Sequence, residues 1–347
     1  MMDFILAESK LLRVGLYFGV LLASMFYILW KAFVVSRSAE RVSRKLLVLP
    51  LIALFTLIIV WRDIIMFMLE LSKNYPDLET MFKEEELLVK AYRVVTDSVE
   101  GYWWSSQLLM FTLVFIVFIN TKARQISMPI LELCAYTCLG FGGAISVAFA
   151  LFLYRYNVTI SMETKRVEHH QMSCWSIAVL AICLWLAFLC IVFLYFSVDQ
   201  AFKVYLLLTH LTLFLPSLLP SIHVRTYTTT AAKGLIPLLY ALLFVALACH
   251  QFYFTHLALP DSHPTTFHKL VLSGFAHHSQ SGISFDAVMC FVLCIVYLLL
   301  KSENGSAVVV IVPFIFLSPC LSLGSTFSLV MLYEEYLLER KIGTKEE

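Results

Sequence analysis

Residues 128–154 read MPILELCAYTCLGFGGAISVAFALFLY, an apolar run whose one formal charge is Glu132. About 20 mostly apolar residues in a helix cross the hydrocarbon core of a bilayer. The run is long enough, so it reads as one membrane-spanning helix. Inside it, Gly140/Ala144 and Gly142/Ser146 form small-xxx-small pairs, which let a neighbouring helix pack closely.

The same criterion, applied outward, finds runs at 11–35, 46–69 and 103–120 before this one. It finds others at 173–197, 201–222, 235–257, 283–300 and 307–333 after it. The apolar chain on either side of Asp199, Gln200 and Lys203 is too long for a single helix, so a hairpin is expected there. The expected fold is all-α: a polytopic transmembrane helix bundle of about nine spans, forming one domain over residues 1–347. The first run lacks a small-residue cleavage site and reads as a signal anchor or first span.

Composition agrees with that class. The 347 residues are 60% hydrophobic and 14% charged, with a mean hydropathy of +0.84, whereas a soluble domain carries about 25% charge. The formal net charge of +1 gives no pointer to a nucleic-acid partner. Membrane lipids and other membrane proteins are the partners expected. Most of the nine cysteines sit in apolar runs, with Cys134/Cys138 and Cys290/Cys294 each on one helix face and no CxxC present. They read as small hydrophobes, and no motif calls for a cofactor.

Sidedness follows from Lys and Arg in short loops. The first loop holds Arg37, Arg41, Arg44 and Lys45, and the third holds Lys122 and Arg124; both read as cytoplasmic. Alternation through nine spans then places the C-terminus, with Arg340, Lys341 and Lys345, on the cytoplasmic side. The loop 73–100, the loop from His263 to Asp286 and the sequons fall on sides set by the same count. The acidic loop 73–100 is lumenal, the histidine-bearing loop is cytoplasmic, and the candidate glycosylation sites Asn157 and Asn304 are lumenal. Arg225 and Lys233 run against the rule, since alternation makes their loop lumenal.

In residues 73–100, Leu78, Met81, Leu88, Tyr92, Val95 and Val99 recur at helical spacing among charged residues. This is an extramembrane amphipathic helix, read as a connector lying on the surface. Tyr102, Trp103 and Trp104 then mark a membrane boundary. The succession KNYPDLETMFKEEELLVKAYRVVTDSVEGYWWSSQLLMF, NTKARQIS and CAYTCLGFGGAISVAFALFLY, with SGISFD later, resembles a group of uncharacterised fungal multi-pass membrane proteins. Its marks are the WWSSQL start of a span and the LGxxxxxSxA pattern. The resemblance implies a protein of the endoplasmic reticulum or another endomembrane. That group has no assigned activity, so no catalytic residue carries over.

Ionisable groups deep in a span are functional candidates, and few stand out. Arg62 and Asp63 sit near an interface, pointing apart as helix neighbours do. Gln107, Glu132 and Asp286 lie near span edges, with Ser284, Phe285 and Asp286 reading as the cap of the eighth helix. Pro216 and Pro220 in the sixth span, and Pro313 and Pro319 in the ninth, predict kinks. Ser318, Ser322, Gly324 and Ser325 follow in the ninth.

Six histidines fall between His250 and His278. As metal ligands the candidates are His263, His268, His277 and His278, since imidazole suits iron, zinc or copper. The spacing H-x-x-x-x-H and the bare His277-His278 pair complete no known histidine box, and His169-His170 falls on the other side of the expected bilayer. A polar connector is the plainer reading. A pH-sensing role would follow if this loop faced an acidic lumen. With no G-x-S-x-G or H-E-x-x-H present, the sequence favours a non-enzymatic, lipid- or partner-binding endomembrane protein. The alternatives are a secondary transporter or channel-like protein using kinked helices six and nine, and a metal-dependent lipid-modifying enzyme using residues 250–278.

Overall fold

The computed structural model describes residues 2–39, 42–162, 172–219, 234–260, 264–301 and 307–343. Among them every regular element is a helix: α1 (Met2–Ser38), α2 (Val48–Ser72), α3 (Leu78–Glu84), α4 (Leu87–Thr96), α5 (Val99–Gln125), α6 (Ile130–Gly142), α7 (Ile145–Met162), α8 (Cys174–Phe196), α9 (Asp199–Phe214), α10 (Leu235–Ala258), α11 (Pro264–Ser273), α12 (His278–Lys301), α13 (Ala307–Leu321) and α14 (Leu323–Gly343). Short 3-10 turns at Arg44–Leu47 and Leu215–Leu218 lead into α2 and out of α9. Among the described residues eight segments are long and apolar enough to cross a membrane, α7 being one of them.

The axis of the bundle is α5. Its central turns are apolar all round and accordingly buried all round, from Met110 through Ile119. Ser98 caps its start by accepting from the Gly101 amide, and Lys122 and Arg124 in its last turn complement the helix dipole. Around it, α1, α2, α8, α9 and α10 bury one stripe each and leave bulky apolar residues such as Phe26, Ile58, Phe193, Leu207 and Phe252 exposed. That is the pattern of helices whose outer solvent is hydrocarbon.

Contacts define two ends. The cap end carries α3, α4 and α11, the start of α5 and the start of α12. Asp77 opens α3 by accepting from the Thr80 amide at 2.7 Å. The single amphipathic helix expected over 73–100 is two helices, because Glu85 at the C-cap of α3 takes an extended conformation. Nor do they lie free on a surface. Met81 is fully buried against Phe67 and Leu71 of α2, and Tyr92 packs near Leu194, Phe202 and Leu206. Arg93 donates to the Ser197 carbonyl (2.8 Å) and lies over the Phe202 ring. The pair is a lid on the bundle.

The basic end gathers Arg44, Lys45, Lys122, Arg124, Arg155 and Lys301. Two runs that read as single spans do not reach from it to the cap end. In 128–154 the chain turns back on itself: Glu132 meets Arg155 at 2.9 Å, the Tyr136 and Phe152 rings lie 5.3 Å apart, and Gly140 faces Ala148. Those pairs are the signature of an antiparallel helical hairpin, α6 returning as α7. The turn forms at Gly143, where the amides of Gly143 and Ala144 both donate to the Leu139 carbonyl. The small residues admit close packing, but within the hairpin and against α1, where a Cβ on Gly142 would lie 2.6 Å from Leu21 Cδ2. Tyr156 donates to Gln125 at the end of α5. Only about 11 residues of α7, roughly 17 Å, therefore lie between the tip and the basic end.

Run 307–333 behaves likewise. It is broken at Ser322, whose φ is 93°, and Ser318 and Thr326 meet across the break at 2.7 Å. Going in, α13 stacks Phe314 on Phe291 of α12; coming out, α14 places Phe327 on Phe111 and Phe118, then Glu334 beside Lys122. The returning arms of the two hairpins touch at Phe149 and Phe327 (5.8 Å), with Phe111, Phe118 and Tyr297 completing a buried aromatic core. Helix α12 begins at His278, so Asp286 lies two turns inside it rather than at its cap. Arg62 also wraps back onto its neighbour, with Nη2 2.8 Å from Asp63 Oδ1, a reach its long side chain permits despite the divergent Cβ directions.

Candidate functional site at the hairpin tips

A helix that starts inside a bundle exposes unpaired N–H groups and about half a positive charge where no water can answer them. Helix α7 starts this way, after Ala144, which has no side-chain acceptor. The acceptor comes from another helix. Asp286 of α12, fully enclosed, takes the Ile145 amide on Oδ2 (2.9 Å), the Ser146 amide on Oδ1 (2.9 Å) and the Ser146 hydroxyl on Oδ1. The opposite side of the break is closed by Tyr17 of α1, whose hydroxyl donates to the Gly142 carbonyl. Both raw ends of the broken helix are thus tied by side chains of separate elements.

The lid reaches the same place. Tyr92 of α4 lies 3.4 Å from His210 Nε2, and His210 Nδ1 lies 2.8 Å from the Leu206 carbonyl. Since a carbonyl can only accept, Nδ1 carries the proton and Nε2 accepts from the Tyr92 hydroxyl. The Phe141 ring at the hairpin tip faces the same imidazole at 6.3 Å. A chain of contacts therefore runs from the lid through His210 to the break.

The second tip is built from neutral groups. Leu323 N donates to Gln107 Oε1 of α5 (3.2 Å), and Ser322 Oγ accepts from the Ser325 amide (3.0 Å). At the basic end the hairpins are closed by charge. Lys122, almost wholly buried, sits 3.7 Å from Glu334 and 3.6 Å from Glu335, and Tyr297 donates to Glu334 at 2.7 Å. Lys301 lies over the Tyr156 and Tyr297 rings.

Of the residues singled out as metal ligands, His263 lies outside the described residues, and His268 is exposed on α11. His277 and His278 come together with carboxylates of α2. His277 Nε2 stands 3.7 Å from Glu70, and His278 stands 3.4 Å from Asp63 and 3.6 Å from Glu70. Among the described residues no group of three or more His, Cys, Asp or Glu side chains is placed to hold a metal ion. His250 is buried in an aromatic nest of Tyr102, Phe188 and Phe254. Asn157 lies on α7 beyond Tyr156, its amide donating to the Leu153 carbonyl, and Asn304 lies outside the described residues. Tyr17 and His210 carried no sequence signal, and Tyr92 only that of an amphipathic stripe, because each reaches the site across the bundle.

These features define an integral, multi-pass membrane protein with two broken-helix hairpins at its centre. No family model matches the chain, and neither a curated protein nor a solved structure matches it.

Proposed function

We propose that the protein is a secondary transporter whose substrate path runs past the two hairpin tips. The observation that carries this reading is the pair of helices broken within the bundle, α7 and α14, with their N-termini held by Asp286 and Gln107. Discontinuous helices place backbone dipoles inside the membrane, and transporters use such ends to hold ions and polar substrates. A lipid- or partner-binding scaffold accounts for the apolar outer surface but gives no reason to break two helices and close the ends with buried polar groups. An enzyme on residues 250–278 is not favoured by the placement of His250, buried in an aromatic nest, while His256 and His268 are exposed.

The aromatic core at Phe111, Phe118, Phe149 and Phe327 separates the tips from the basic end. Seven crossings and two hairpins entering from the basic end then make that end cytoplasmic by the positive-inside rule. Residence in an endomembrane rests on the resemblance alone.

The test is flux in reconstituted vesicles, using labelled amino acids, organic acids, amines and sugars under an imposed proton or sodium gradient. Saturable uptake that is lost in Asp286→Asn is expected. Vesicles that are tight and contain folded protein, yet move none of these classes, overturn the reading.

A further inference from the structure

The two tips differ in one chemical respect. The N-terminus of α7 has a built-in anion, since the Asp286 carboxylate accepts from two amides and a hydroxyl. The N-terminus of α14, a helix of 21 residues, meets only neutral acceptors, the Gln107 carboxamide and its own cap hydroxyl Ser322 Oγ, which accepts from the Ser325 amide. Gln107 Oε1 accepts one amide there, and Gln107 Nε2 is enclosed with no acceptor. Gln107 is 7% exposed, so this donor is aimed into the interior beside a helix N-terminus that carries no counter-charge.

A second buried amide stands at the same level. A Cβ on Gly324, in the first turn of α14, would lie 3.0 Å from the Met110 backbone of α5 and 3.0 Å from Leu247 of α10. Gln107 is three residues toward the cap end from Met110, and Gln251 is four residues toward it from Leu247. The two carboxamides therefore stand one turn above the tip, on the two helices that flank it. Gln251 is wholly buried; its Nε2 donates to Thr255 Oγ1 at 3.3 Å, and its Oε1 has no donor. Trp103 Nε1 also donates to Thr255 Oγ1.

We infer that the tip of α14, with Gln107 and Gln251, is the binding site for a small organic carboxylate bearing an adjacent N–H or O–H donor. The carboxylate oxygens would accept from Gln107 Nε2 and face the α14 N-terminus, where the helix field favours negative charge. The adjacent donor of a 2-amino or 2-hydroxy acid would satisfy Gln251 Oε1. A buried donor and a buried acceptor each left unpaired disfavour the empty state, and this one ligand class answers both. The inference rests on the transport reading for its biological meaning, but its test does not use transport.

The experiment is thermal unfolding of the purified full-length chain in detergent with acetate, lactate, alanine and glutamate, set against acetamide, ethanolamine and inorganic phosphate. Saturable stabilisation by lactate, alanine or glutamate, weaker with acetate and absent with acetamide and ethanolamine, is expected. Gln107→Leu should weaken it at least about tenfold, as loss of one hydrogen bond to a charged group implies. Gln107→Glu, nearly isosteric, should abolish it by charge repulsion; should Gln107→Leu fail to fold, Gln107→Glu and Gln251→Leu carry the comparison. Stabilisation by phosphate alone, by no carboxylate, or equally in Gln107→Glu overturns the inference. Binding without flux would overturn transport and leave this site standing; flux of another class without carboxylate binding would do the reverse.

Discussion

Asp286 and Ser146 lie 140 positions apart in sequence, and the carboxylate of the first accepts both the backbone amide and the hydroxyl of the second. With the Ile145 amide it replaces the N-cap that α7 lacks. Asp286→Ala removes three hydrogen bonds and leaves the helix end unanswered. Set against this is relief from burying a charge, which offsets part of the loss. The net expectation is destabilisation of about 2–4 kcal/mol. Asp286→Asn keeps an acceptor and should lose roughly half as much. Denaturant unfolding in mild detergent measures both, and an Ala variant as stable as the parent would show that the α7 end is satisfied in another way.

How much of this was legible in the sequence depends on the length scale. The membrane class follows from composition, because hydropathy sums local properties. The hairpins do not, since an apolar run has the same hydropathy whether it crosses or turns back. Their local marks were Gly142-Gly143, and Ser322 after two prolines, which read as packing and kinks. A further mark was Arg225 and Lys233, which run against the positive-inside rule when nine spans alternate. Asp286 reads as a cap residue for a nearby reason. His278, Ser279, Gln280 and Ser281 are polar, yet they form the first turn of α12 and so bury Asp286 two turns deep. Tyr17, Tyr92 and His210 join the site through contacts of more than 100 positions, which no local pattern encodes.

The proposed sidedness has a direct chemical readout. Asn157 stands on α7 toward the basic end, so with that end cytoplasmic its sequon is never glycosylated. A sequon placed between α3 and α4, near Glu85, should be modified. Gel mobility before and after endoglycosidase treatment reads both. A glycan at Asn157 would restore nine alternating spans.

The lid has its own pH dependence. Backbone and side-chain hydrogen bonding to Thr80 lowers the pKa of Asp77 below the ordinary carboxylate value. A group with a depressed folded-state pKa adds stability above its unfolded value and loses it as pH falls through the folded one. The amides opening α3 should therefore lose hydrogen-exchange protection below the ordinary carboxylate range, and hold it at neutral pH. Asp77→Asn retains a capping oxygen that does not titrate, so its protection at Thr80 should be flat with pH. An equally steep acid loss in that variant would assign the effect to another group.

At the basic end, Lys122 binds the second hairpin to the axial helix through Glu334 and Glu335. Removing one partner from a buried ion cluster costs more than removing the cluster, because the remaining charges keep their desolvation cost and lose their attraction. Lys122→Met should cost about 3–5 kcal/mol, the usual scale for breaking such a cluster. The triple variant Lys122→Met, Glu334→Gln, Glu335→Gln should recover more than half of that, since Gln can still accept from Tyr297. Denaturant melts of the single and triple variants, with the two Gln substitutions alone as controls, give the coupling. A triple variant no more stable than Lys122→Met would mean that the lysine acts through packing of its stem rather than through its charge.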